Sequence, residues 1–128
     1  KAVESELFNV QSFVRNVLIK NRFDAKVIRQ IDLIVEEIFI NIAKYAYQNE
    51  TGSCNIIVTN DQNKKVTLTF EDCGVKFNPL EIKEPDITLP ASERKIGGLG
   101  IYITRKIMDT VNYKYENNKN ILTITKII

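Results

Sequence analysis

Histidine is absent from the 128-residue chain, which removes several chemistries at once. It excludes Ser-His-Asp catalysis, metals held by imidazole, and any phosphoacceptor histidine within these residues. An enzyme built from this chain has to work with carboxylates, lysines and backbone amides, with or without a bound cation. Cysteine is scarce: there are 2, Cys54 and Cys73, with neither metal-ligand spacing nor a disulfide framework, which fits a reducing cytoplasm. An excess of one charge is also lacking. The 18 Lys and Arg against 16 Asp and Glu leave a formal net charge of +2, too little to suggest direct nucleic-acid contact or an acidic lipid partner. No apolar run approaches a membrane span, and Lys1-Ala2-Val3-Glu4 does not open a signal peptide, so a cytoplasmic protein without membrane contact is expected. A start at Lys1 and not Met suggests a trimmed chain or a domain cut from something longer.

What is present predicts a single domain over 1–128, because 44% apolar and 27% charged residues suit one substantial core. Ser5 is placed to cap a helix running to about residue 20, with Leu7, Val10, Val14, Val17 and Leu18 at amphipathic spacing. Asp24 is placed to open a long helix to about Gln48, ended by Asn49-Glu50-Thr51-Gly52. Two β-rich runs follow, 55–59 and 66–71, joined by the polar turn 60–64. Between Asp72 and Gly98 the periodicity vanishes, and Pro79, Pro85 and Pro90 all fall there. Such a segment inside a domain is usually functional or mobile. A short helix over 99–109 precedes a last hairpin, 111–115 with 121–126, around a loop at 116–120. This order predicts an α/β (α+β) two-layer sandwich, with a mixed, mostly antiparallel sheet covered by helices on one face.

At about 100° per residue, Ile31, Val35, Ile38, Ile42 and Ala46 form the buried stripe of the long helix. Glu37, Asn41, Lys44 and Gln48 form a polar row beside it. That row is open to two interpretations: a solvated flank of ordinary helix formers, or an oxygen-donor site in which Glu and Asn hold hydrated Mg²⁺ and Lys44 faces phosphate as a point charge.

Two glycine-containing loops are similarly ambiguous alone. Asp72-Cys73-Gly74 follows a strand and is succeeded by Phe77-Asn78-Pro79. Its carboxylate could accept from an exocyclic amine such as that of adenine, or merely close an Asx turn. Gly97-Gly98-Leu99-Gly100 opens a helix, where backbone N–H groups and the helix dipole favour an anion. It is not a P-loop, since Ile101-Tyr102 follows Gly100. It is not a dinucleotide fingerprint either, since Ile103 takes the third small position and 90–96 is no strand.

Jointly and in this order, the three segments resemble the ATP-binding boxes of the GHKL superfamily. The stretch Glu37-Ile38-Phe39-Ile40-Asn41-Ile42-Ala43-Lys44-Tyr45-Ala46-Tyr47 looks like its N box. The first glycine box is matched by Asp72-Cys73-Gly74-Val75-Lys76-Phe77-Asn78-Pro79, and the second by Gly97-Gly98-Leu99-Gly100-Ile101-Tyr102-Ile103. The aromatic end Tyr45-Ala46-Tyr47 and the closing Met108-Asp109-Thr110-Val111-Asn112-Tyr113 are similar to the anti-sigma serine kinase branch, of the RsbW and SpoIIAB type. The pattern departs at Lys76, where a second glycine is common, and at Tyr45, where many branch members carry His.

The resemblance implies a Bergerat fold that binds ATP and Mg²⁺. It implies Glu37 as general base, Asn41 on Mg²⁺, Lys44 on phosphate, and Asp72 on the adenine amine with Gly74 and Phe77 in the same box. Gly97, Gly98, Leu99 and Gly100 would cradle phosphates, and 80–96 would form an ATP lid. Arg94 and Lys95, flanking the end of that segment, are open to two interpretations, a γ-phosphate contact or a solvated charge pair. Asn120 is a loose candidate for a threonine that touches the adenine end. The implied activity is a serine-protein kinase that phosphorylates a small STAS-type antagonist and sequesters a sigma factor, as a homodimer. The alternatives are a non-catalytic nucleotide-binding partner-switching module, or the ATP-binding domain of a histidine kinase.

Overall fold

Period-two alternation of apolar residues decides which face of each strand turns inward. The structure is a computed structural model that describes residues 1–47, 52–60, 65–79 and 98–127. In it β1 (Cys54–Asn60), β2 (Lys65–Asp72), β3 (Thr110–Glu116) and β4 (Lys119–Ile127) form one sheet in the order β1-β2-β4-β3. Val58, Leu68, Ile124 and Val111 lie in register across it, and Ile56, Phe70, Leu122 and Tyr113 form the next row. These apolar rows face the helices. The sheet, expected to be mixed, is antiparallel at each of its described pairings.

The helical layer consists of α1 (Leu7–Lys20), α2 (Ala25–Asn41) and α3 (Gly98–Ile107). Val14 and Leu18 of α1, and Val27, Ile31, Ile34, Val35 and Ile38 of α2, pack with Val66, Leu68, Phe70, Leu122 and Ile124 of the central strands. The two-layer α/β architecture is therefore as the element order implied. Arg15 of α1 bridges Asp32 of α2 at 3.0 Å. Both side chains remain partly solvated, so the pair aligns the helices more than it stabilises them. No described helix is long and apolar enough to cross a membrane.

Four local expectations change. Ser5 lies inside a 3-10 turn, Glu4–Glu6, and caps nothing. Asp24 does occupy the N-cap of α2, with extended backbone, yet its side chain makes no capping bond. The long helix stops being α at Asn41 and widens into a π-helical turn, Ile42–Ala46. That wider turn breaks the regular spacing after Asn41, so the step of about 100° that set Lys44 beside Glu37 and Asn41 holds only as far as Asn41; Gln48 lies outside the described residues. The last hairpin turns on two residues only, Asn117 and Asn118, at φ 54° and 62°. Positive φ at both central positions matches the strand twist, and Asn tolerates it. Lys119 and Asn120, expected in the loop, consequently begin β4.

The segment after α3 is an anchor. Met108 is buried, the Asp109 carboxylate accepts the Ile127 N–H at 2.6 Å, and Lys126 Nζ donates to the Ile107 carbonyl at 2.8 Å, satisfying the end of α3. For the turn, Asn118→Gly should leave urea-unfolding stability equal or slightly higher. Asn118→Val should lower it by about 1–2 kcal/mol, because a β-branched residue resists positive φ.

Candidate functional site

The row that delivers Leu122 and Phe70 inward changes character at its end. There Cys54, Asp72, Asn120 and Tyr115 face one another across the four strands. Asp72 and Asn120 are each 7% exposed, and buried polar groups of this kind need partners. Asp72 Oδ1 accepts from the Gly74 N–H at 2.9 Å and from Asn120 Nδ2 at 3.0 Å. Asn120 Nδ2 also donates to the Val75 carbonyl at 2.9 Å. Asn120 Oδ1 accepts from the Phe77 N–H at 3.1 Å and from the Tyr113 hydroxyl. One carboxamide thus ties the loop after β2 to both β3 and β4.

The end of the helix holds the other side of that loop. Val75 N–H donates to the Ala46 carbonyl at 2.9 Å. The Tyr47 hydroxyl accepts from the Cys73 N–H at 2.8 Å and donates to the Ser53 carbonyl. A Cβ on Gly74 would stand 2.3 Å from the Ala46 oxygen, so the close approach that Gly74 permits here is that of the helix backbone. Burial raises the Tyr47 phenol above its usual pKa, with the Asp72 charge adding to the rise and the Cys73 N–H opposing it. Burial, with the Asp72 charge adding to it, pushes the Cys54 thiol up to about 12. Cys54 is therefore protonated at neutral pH and is no nucleophile.

Asp72, Gly74, Asn120 and the Phe77 backbone are brought together at this sheet end. The Phe77 side chain itself is exposed. Glu37 and Asn41 are half-buried one turn apart on α2, and Lys44 is exposed on the π-turn. Helix α2 packs against α3, whose first turn contains Gly98, Leu99 and Gly100. The end of the N-box segment therefore touches the Asp72 loop while α2 itself packs on α3. Among the described residues no hydrogen bond joins Glu37 or Asn41 to the Asp72 cluster. Gly97 and the expected lid at 80–96, with Arg94 and Lys95, lie outside the described residues. Lys76, the departure from the glycine pattern, is exposed and stands 5.3 Å over the Tyr115 ring.

The residues present suit a nucleotide and a hydrated cation. Asp72 Oδ2 has no donor among the described residues, and none of their buried side-chain polar atoms is unpartnered. Oδ2 is thus open to an incoming N–H. No group of three or more carboxylate or thiol ligands occurs among the described residues, so an all-protein metal cage is not offered there. Mg²⁺ on one or two protein oxygens plus phosphate and water asks for no such cage. Sequence reasoning missed the anchoring roles of Tyr47 and Tyr113. For Tyr113 a signal existed, since Val111 and Tyr113 alternate inward along β3.

The family model for the histidine kinase-like ATPase domain matches residues 2–126. The serine-protein kinase RsbW of Bacillus thuringiensis (strain Al Hakam) is 26% identical over 105 residues, covering 79% of this chain and 64% of that protein. The serine-protein kinase RsbW of Bacillus mycoides (strain KBAB4) is 26% identical over 100 residues, covering 75% and 61%. The chain thus spans somewhat under two thirds of the length of these relatives. Among solved structures, the histidine kinase domain of the blue-light activated histidine kinase from Erythrobacter litoralis EL346 superposes with a TM-score of 0.54. That match has 16% identity over 78% of this chain and 44% of the other, a likeness of fold.

Two outcomes follow from the site's packing and charge. Gly74→Ala should displace the loop from Ala46 and lower thermal stability, by about 1–3 kcal/mol for the strained contact and the lost Val75 bond. Between pH 9 and 12 the unfolded chain loses the Cys54 proton while the folded chain keeps it, so that folded stability falls as pH rises across this window. Urea unfolding at pH 7 and pH 10 should show a smaller alkaline loss for Cys54→Ala than for the parent.

Proposed function

This chain belongs to the histidine kinase-like ATPase domain family, and from that premise we propose that it binds ATP with Mg²⁺ and transfers the γ-phosphoryl group to a serine of a small STAS-type antagonist. The observation that carries the reading is the buried Asp72, with one oxygen committed to Gly74 and Asn120 and the other open. A carboxylate so held is an acceptor for one N–H, as an adenine amine requires. The Bacillus relatives named as serine-protein kinases support the acceptor residue.

In this mechanism Asn41 holds Mg²⁺, which supplies charge neutralisation at the phosphates. Lys44 adds a point charge toward them. The first turn of α3, at Gly98, Leu99 and Gly100, presents backbone N–H groups to the phosphate oxygens. Glu37 accepts the serine proton as the serine oxygen bonds to the γ-phosphorus. The bond from that phosphorus to the bridging oxygen breaks, and ADP departs. Catalysis is then positioning and charge stabilisation. Sequestration of a sigma factor, homodimerisation and a cytoplasmic location belong to the same proposal.

Titration calorimetry with Mg-ATP, and a mass-shift assay on a purified STAS-type antagonist, test it. Glu37→Ala should lower transfer by about 100-fold or more, the usual contribution of a general base, while ATP affinity stays within a few-fold. Retained transfer in that variant would reject Glu37 as the base. ATP binding without transfer would favour a non-catalytic switching module. Transfer only to a histidine-bearing partner would favour a histidine kinase domain.

A further inference from the structure

We propose that Asn120 is a positioning residue whose carboxamide, backed by Tyr113, fixes the Asp72 carboxylate so that a single oxygen remains for a 6-amino purine. The inference rests on the ATP reading above and replaces direct contact between Asn120 and the nucleotide. Its first support is saturation. A carboxamide has two N–H donors and an oxygen with two lone pairs. The donors go to Asp72 Oδ1 and the Val75 carbonyl, and the oxygen takes the Phe77 N–H and the Tyr113 hydroxyl. No bonding capacity is left for a ligand.

The second support is orientation. Carboxylate and carbonyl lie on one side of the amide, N–H and hydroxyl on the other, so only one of its two flipped settings satisfies all four partners. The third is the softness of what is being held. The terminal torsion of an Asp side chain is broad, so burial alone does not fix the plane of the carboxylate. Two donors on one oxygen, from Gly74 and Asn120, fix it. Oδ2 is left as the acceptor, and a carboxylate acceptor favours an N–H over a C–H at the purine 6-position.

Binding of ATP and of 6-unsubstituted purine riboside triphosphate should be measured for the parent, Asn120→Leu and Tyr113→Phe. Unfolding curves of each variant show how much folded protein is present. The parent should favour ATP by about ten-fold, as a charge-assisted hydrogen bond implies. In Asn120→Leu that preference should collapse to within about two-fold. In Tyr113→Phe, which keeps every Asn120 contact except the hydroxyl, it should fall by about two- to three-fold with little change in melting temperature. A preference unchanged in the folded variants overturns the inference, whether or not overall affinity drops, since a mere scaffold would weaken both ligands alike. Should Asn120→Leu fail to fold, an unchanged preference in Tyr113→Phe overturns it alone. A parent that binds neither ligand rejects the ATP reading instead, and a parent that binds both equally rejects Asp72 as the purine reader.

Discussion

A carboxylate driven into the interior at the end of a central strand is the constraint around which the site is organised. Asp72 follows Val66, Leu68 and Phe70 at inward positions of β2, so the same alternation that builds the core also forces this charge out of bulk water. Its desolvation has to be offset by donors held in place. Gly74 and Asn120 provide them, and each needs its own support. The Gly74 loop leans on Ala46 and Tyr47, while Asn120 leans on Tyr113 and Phe77. The compensation of one charge therefore engages the end of the N-box helix, the loop after β2 and both strands of the last hairpin.

The π-turn at Ile42–Ala46 belongs to the same economy of contacts. It delivers the Ala46 carbonyl to Val75 and the Tyr47 hydroxyl to Cys73. Departures of this kind from α geometry commonly mark functional places in helices. Here the departure joins the helix carrying Glu37 and Asn41 to the loop carrying Gly74 through one backbone bond, to the Ala46 carbonyl, and one side chain, Tyr47.

Much of the architecture was legible because it rests on periodicity. The inward residues of α1, α2, β2 and β4 recur at helical or alternating spacing, and the element order follows from them. What was not legible depended on single residues whose local preference is weak. Nothing in Ile42-Ala43-Lys44-Tyr45-Ala46 announces a π-turn, since it arises where the helix end meets the loop. The turn at Asn117-Asn118 was readable in principle, because both residues accept positive φ, but a surrounding run of polar residues disguised where the strand resumes. The site was partly readable: Asp72 and Gly74 stand out as a strand-end pair. Asn120 stood out only through the resemblance and was placed in a loop, whereas it is a buried strand residue, and Ser5 offered a cap that the 3-10 turn does not use.

The two-residue turn also sets the parity of everything beyond it. Pairing of Glu116 with Lys119 counts Asn120 onto the inner face, and a single extra residue absorbed into that strand would carry it to the outer one while moving Ile121 inward. A short polar hairpin tip ordinarily invites epitope tags, fluorophore handles or circular permutation. In this protein an edit that the strand takes up reaches through to the buried carboxylate, so labels belong elsewhere on the surface unless the added residues stay within the loop.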